Sequence, residues 1–311
     1  MTDLPTATRR QRAGGPDGVV LLDKPVGLSS NVALQRVRRL FGSPRAGHTG
    51  SLDPLASGLL PICLGQATRF SGYLLDSAKG YKVKGHLGTR TSTGDREGEV
   101  VERCAWEHLD MEAFAAALAG FRGPIAQVPP MYSALKQGGE RLYRKARRGE
   151  SVERRAREVE IYKLELEDWS PPSFALDVSC SKGTYVRTLV EDIAHAAGSC
   201  AHVAALRRHA AGPYAASEMF TLEALERLAE QGPERLCEVI LPIDSALAAL
   251  AVVTLGAEDA GRLMQGQTVE LPEGGEAGLV RVYGAHGFIG VGARGAEGGL
   301  RAKRLLATAD A

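Results

Sequence analysis

No apolar run in these 311 residues is long enough to cross a bilayer: the longest, Leu59–Leu64 and Ala246–Val253, fall far short of the roughly 20 residues a helical span needs. Nor does an apolar segment follow Arg9, Arg10 and Arg12, as a secretory leader would require, so the chain reads as cytoplasmic. The five cysteines, Cys63, Cys104, Cys180, Cys200 and Cys237, are scattered, odd in number and form no C-x-x-C pair. That pattern indicates neither a disulfide framework nor a zinc site. His202 and His209 would stand two turns apart on a helix, but packing or RNA contact suits them better than metal ligation. No Gly-rich dinucleotide fingerprint is present either. Redox chemistry on a nucleotide and metal-assisted hydrolysis therefore have no foothold in the residues.

What is present is an ordinary globular composition, 44% hydrophobic and 24% charged, in a chain long enough for a large core and more than one domain. The net charge of +1 conceals a split: residues 1–210 hold 30 Lys/Arg against 23 Asp/Glu, whereas residues 211–311 hold 8 against 14. A polyanion contacted mainly by the front of the chain fits that asymmetry.

Residues 1–17 are polar and rich in Gly, Pro and Arg, and are expected to be a flexible tail. Folding begins at Gly18 with a short apolar strand, and Ser29–Asn31 caps a basic amphipathic helix through Phe41. Gly47–Gly65 is a loop punctuated by Gly, Ser and Pro that leads into the apolar Leu59–Leu64. It contains one carboxylate, Asp53, whose local reading is the cap of a helix or turn opening at Pro54. In Gly80–Gly88, Tyr81 and Val83 alternate with Lys82 and Lys84, the period of a half-buried strand. Asp110–Phe121 is a helix and Gly123–Pro130 is extended. Arg141–Arg148 interleaves Tyr143 with cations, as suits unpaired RNA bases and phosphates. Val159–Leu166, Phe174–Cys180 and Gly183–Val186 read as strands of one antiparallel arrangement, placing Tyr185 and Arg187 on one face. A helix over Glu191–Ala197 and an acidic one over Thr221–Glu230 follow. Beyond Val252 the pattern changes to short Gly-rich strands, so one domain is expected over residues 18–250 and a second over 251–311.

Six stretches, in order, give this chain a resemblance: GVVLLDKPVG (18–27), GHTGSLDPLASGLLPICLG (47–65), GYKVKGHLGTRTSTGDREG (80–98), PPMYSALK (129–136), GTYVRTL (183–189) and HVAALRR (202–208). With them the sequence closely resembles the TruB family of tRNA pseudouridine synthases. The resemblance implies an α/β (α+β) catalytic domain around a mixed, largely antiparallel sheet, and a small β-rich C-terminal domain like the PUA module. It further implies conversion of uridine 55 in the tRNA TΨC loop to pseudouridine, without cofactor or metal, by a monomer needing no obligate protein partner and no membrane. An accessory tRNA-folding role is compatible with it.

By the same resemblance Asp53 is the catalytic carboxylate, acting as nucleophile on the sugar or as the base in an elimination. Arg187 would keep it ionised, Tyr81 would stack on the target base, and Tyr185 and Leu206 would wall the pocket. His48 would touch the everted loop, Asp95 would belong to the network around Arg187 and Tyr81, and Lys24 would support the site from behind. Two readings from other classes compete. A noncatalytic RNA-binding protein would have no need of Asp53. A glycoside-cleaving hydrolase would pair Asp53 with Asp95 across the bond, leaving the RNA-like features unexplained.

Overall fold

The computed structural model describes residues 15–133, 135–272 and 275–307. Of the expected tail, residues 1–14 lie outside the described residues, and Asp17 is held, its carboxylate accepting from Gln66 N at 2.7 Å. The first part of the chain runs β1 (Gly18–Lys24), α1 (Ser30–Leu40), β2 (Ala46–His48), β3 (Ser57–Leu64), α2 (Ser71–Asp76), β4 (Lys79–Leu87), β5 (Thr89–Thr91) and β6 (Val100–Arg103). Then come α3 (Met111–Ala119), β7 (Gly123–Gln127), β8 (Lys136–Gln137), β9 (Glu140–Arg141), α4 (Leu142–Arg147), β10 (Arg157–Ser170), β11 (Ser173–Cys180), α5 (Val186–Ala196) and β12 (Ala201–Ala211). Two short strands, β13 (Tyr214–Ala215) and β14 (Phe220–Thr221), complete the first sheet, and β15 (Ala251–Thr254), β16 (Val269–Glu270), β17 (Gly278–Gly284), β18 (Gly287–Arg294) and β19 (Gly299–Leu305) form another.

The large sheet has the order β14-β1-β3-β12-β4-β11-β10-β7, with β2 and β13 paired at its side. Its β1–β14 and β3–β12 pairings are parallel and the others antiparallel, the mixed architecture expected. Core packs on both faces. Along β1, Val20 and Leu22 join Ala33 and Val37 of α1 in one cluster, while Val19 and Leu21 meet Cys63 and Phe70 in another. A strand buried on both sides reads as a continuous apolar run, which is why Gly18–Leu22 and Leu59–Leu64 are conspicuous in the sequence. The C-terminal sheet, β15-β17-β18-β19-β16, closes over its own cluster of Leu263, Val269, Val282 and Leu300.

One expected element changes type. Gly183–Val186 is not a strand: Gly183 turns the chain at φ +81°, and helix α5 starts at Val186 because Val186, Leu189, Val190, Ile193 and Ala194 recur at helical spacing and are all buried. His202–Arg208 lies within strand β12, so His202 and His209 do not meet as helix neighbours. The first lies 2.9 Å from Thr89 O through Nδ1, and the second 3.1 Å from an Asp177 oxygen. A disulfide also joins Cys104 to Cys200, contrary to expectation. The bond spans 96 residues and forms because Gly88 lies between the two backbones, donating to Cys200 O and accepting from Cys104 N. No spacing rule reaches that far.

At Gly58 it is rigid backbone that leaves no room. Its φ is +100°, and a Cβ there would stand 2.2 Å from Arg208 O on the neighbouring strand. Gly58→Ala combines backbone strain with a clash that flexible side-chain atoms cannot relieve, roughly 3 kcal/mol together. A melting temperature lower by roughly 6–12 °C is expected by scanning calorimetry, and a shift below about 2 °C would contradict the packing described.

Candidate active site

The loop between β2 and β3 is fixed at several points by its own backbone. Leu52 N donates to Ser30 Oγ at 2.7 Å, the same hydroxyl donates to Leu52 O at 2.9 Å, and Gly27 N reaches Pro54 O at 2.7 Å. Leu52 and Leu55 are buried on either side of the acid. Asp53 is not a helix cap: Asp53–Ala56 is a turn closed by Ala56 N on Asp53 O at 3.1 Å, with Pro54 in its favoured second place. Because backbone closes the turn, the carboxylate is free to point elsewhere.

It points at Arg187. Arg187 Nε lies 3.0 Å from Asp53 Oδ2, and Arg187 Nη1 lies 3.6 Å from Asp95 Oδ2. The guanidinium, in the first turn of α5 and 5% exposed, also donates to Thr93 O and to Tyr132 O, the latter at 2.8 Å. Asp95 is buried and occupied, accepting from Thr93 Oγ1 at 2.6 Å and from Glu97 N at 3.1 Å. It stands beside Arg187 with its side chain 6% exposed and does not line the cavity above Asp53, whereas a two-carboxylate hydrolase would need it across the bond from Asp53. Tyr185, as residue N-terminal to α5, is gripped by Gln127, whose side chain accepts from Tyr185 N at 2.8 Å and donates to Tyr185 O at 3.1 Å.

A cavity of about 310 Å³ opens above this pair, lined among others by Asp53, Tyr81, Tyr185, Arg187, Leu206 and Arg208. The Asp53 side chain keeps 42% of its surface open toward it while protein encloses the other sides. This partial loss of water raises the Asp53 pKa from 3.8. Arg187 and Lys24 oppose the rise and Asp95 adds to it. Burial likewise raises the pKa of Tyr81 and of Tyr185 above the ordinary phenol value, so both hydroxyls stay protonated at neutral pH.

Five of the eight residues singled out from sequence thus share one cavity, and Asp95 stands directly behind it. The other two are set back. Lys24 is fully buried, with Nζ donating to Pro25 O and Leu28 O at 2.8 and 2.7 Å, and burial lowers its pKa to about 8. It secures the turn after β1. His48 ends β2, its Nδ1 is buried without a hydrogen-bond partner among the described residues, and burial lowers its pKa. Sequence reasoning missed Gln127, Thr93 and Arg208. For Arg208 a signal existed: it follows Leu206 by two residues, hence on the same side of a strand.

Three family descriptions fit consecutive parts of the chain: TruB family pseudouridylate synthase, N-terminal domain, over residues 38–186, tRNA pseudouridylate synthase B C-terminal domain over 187–248, and pseudouridine synthase II TruB, C-terminal, over 251–306. The tRNA pseudouridine synthase B of Nitrosococcus oceani is 49% identical over 301 residues, covering 96% of this chain and 98% of that protein. Its namesake from Pseudomonas aeruginosa is 51% identical over 292 residues, covering 93% and 95%. Among solved structures, a Cbf5-Nop10-Gar1 complex contains a chain of the same fold, with TM-score 0.72 and 23% identity over 94% of this chain and 86% of that one. At such identity and coverage, the chain belongs to the TruB family of pseudouridylate synthases.

Proposed function

We propose that this pseudouridine synthase acts on tRNA, converting uridine 55 of the TΨC loop to pseudouridine, with Asp53 as the catalytic group. The observation that carries the reading is the Asp53–Arg187 pair, 3.0 Å apart at the base of a cavity walled by Tyr81 and Tyr185. The reaction breaks the base–sugar bond, turns the base and rejoins it through carbon. It is redox-neutral and transfers no group from outside, so it requires neither nucleotide nor metal. The uridine must leave its stack to reach such a cavity, and aromatic walls offer the extruded base a surface.

An ionised Asp53 begins either route, attacking the sugar or removing a proton from it. Arg187 holds the carboxylate in place and favours its charged form. Bulk RNA meets the exposed cations Arg36, Arg38 and Arg39 of α1 and those of α4, where Arg147 lies 5.7 Å from the Tyr143 ring centroid. Arg148 is committed to Glu140 and Glu150 and is not counted among them. In this reading the protein works as a monomer on soluble tRNA, with Asp53, Arg187, Tyr81 and Tyr185 all supplied by one chain.

A tRNA transcript tritiated at C5 of uridine tests the reading. With EDTA present and no nucleotide, the protein should release tritium, and affinity should fall steeply as salt rises, because phosphate contacts displace counterions. No release, or an affinity indifferent to salt, would overturn it.

A further inference from the structure

Among the described residues Arg208 is the largest fully buried side chain, 1% exposed, and no carboxylate forms an ion pair with it. Its contacts are with loop backbone: Nε donates to Leu59 O at 2.7 Å and Nη2 to Gly50 O at 3.0 Å. Those two carbonyls stand on either side of the Asp53 turn. On β12, Arg208 is also the register partner of Gly58 in β3 and of Tyr81 in β4, it lines the same cavity as Tyr81, and its positive charge opposes the rise of the Tyr81 pKa. Gly50 makes the approach possible: at φ +95°, a Cβ there would sit 3.2 Å from Arg208 Nη1.

Burying a guanidinium without a counter-charge is costly, and a strand needing only volume at this place would carry Leu or Met. The two carbonyl contacts and the cross-strand place beside Tyr81 put Arg208 between the two groups that face the reacting nucleotide. We propose that Arg208 is a positioning residue for the isomerisation, fixing the Asp53 loop and the Tyr81 hydroxyl relative to each other from beneath the cavity floor. The inference rests on the roles given to Asp53 and Tyr81 above. A Lys ammonium on the same stem lacks the planar fork that reaches the Gly50 and Leu59 carbonyls together while standing beside Tyr81.

The test uses the full chain and the tritiated tRNA transcript, with single-turnover rate, tRNA affinity and melting temperature measured for wild type, Arg208→Lys, Tyr81→Phe and the double variant. For Arg208→Lys we expect a rate lower by about 100-fold, as for a catalytic group displaced by an ångström, with tRNA affinity within about 3-fold of wild type. The two substitutions should be non-additive in rate, Arg208→Lys costing clearly less once the hydroxyl is gone. A wild-type rate in Arg208→Lys, full additivity with Tyr81→Phe, or a loss confined to tRNA affinity would overturn the proposal. If Arg208→Lys does not fold, Tyr81→Phe alone decides, because it leaves the loop contacts intact: an unchanged rate contradicts the assignment. Activity in wild type and none in Asp53→Asn would show that the functional reading survives even where Arg208 fails; an inactive wild type would sink the reading itself.

Discussion

Asp53→Asn is expected to bind tRNA within about 3-fold of wild type and to release no measurable tritium, a rate loss of at least about 10,000-fold by analogy with removing a principal catalytic group. The amide keeps the shape and one oxygen for Arg187 Nε, so the pair is altered in charge without being emptied. Arg187 also retains Thr93 O, Tyr132 O and Asp95, which keeps the buried guanidinium partnered and the fold intact. An asparagine can neither attack the sugar nor take its proton, so both routes stop together. Melting within about 3 °C of wild type would certify the fold, as for a substitution costing under about 1 kcal/mol. Substantial turnover in such a folded variant would remove Asp53 from the chemistry.

Arg187→Gln should be damaging in a different way. It deletes the cation between Asp53 and Asp95 and frees the carbonyls of Thr93 and Tyr132, in a place where only 5% of the side chain meets solvent. Breaking a buried pair of this kind costs about 3–5 kcal/mol, or a melting temperature lower by roughly 10 °C. Catalysis should fall further than stability explains, and pH separates the two. Burial already raises the Asp53 pKa, and Arg187 is the first of the charges that oppose the rise. Removing it pushes the pKa higher, so at a given pH less of the carboxylate is ionised. The acid limb of the pH–rate profile should therefore move to higher pH, with part of the lost rate recovered above it. An unmoved limb, or one moved to lower pH, would contradict the role given to Arg187.

The strands and capped helices were legible because burial imposes a period. Tyr81 and Val83 alternate with Lys82 and Lys84 along β4, and Ser29 caps α1 by accepting from Val32 N at 3.3 Å. Asp53, Tyr81, Tyr185, Arg187 and Leu206 were identified through motifs, and their gathering around one cavity is a matter of tertiary structure. What escaped the sequence is what long-range contact decides. Arg187 is held by carbonyls 94 and 55 residues away, at Thr93 and Tyr132, and Tyr185 is gripped by Gln127, 58 residues away. Gly183–Val186 reads as a strand because Ser181–Tyr185 is polar and without period, and the buried helical spacing of α5 begins only at Val186. Asp53 looked like a cap because Asp-Pro is a local signal, whereas the turn is closed by backbone and the side chain is claimed from another element.

Mapping pseudouridine at nucleotide resolution in an unmodified tRNA transcript treated with the purified protein tests the central claim most directly. The expected result is a single new pseudouridine at position 55 of the TΨC loop, absent after treatment with Asp53→Asn. Modification elsewhere in the tRNA with position 55 untouched, or the same signal from Asp53→Asn, would contradict the account.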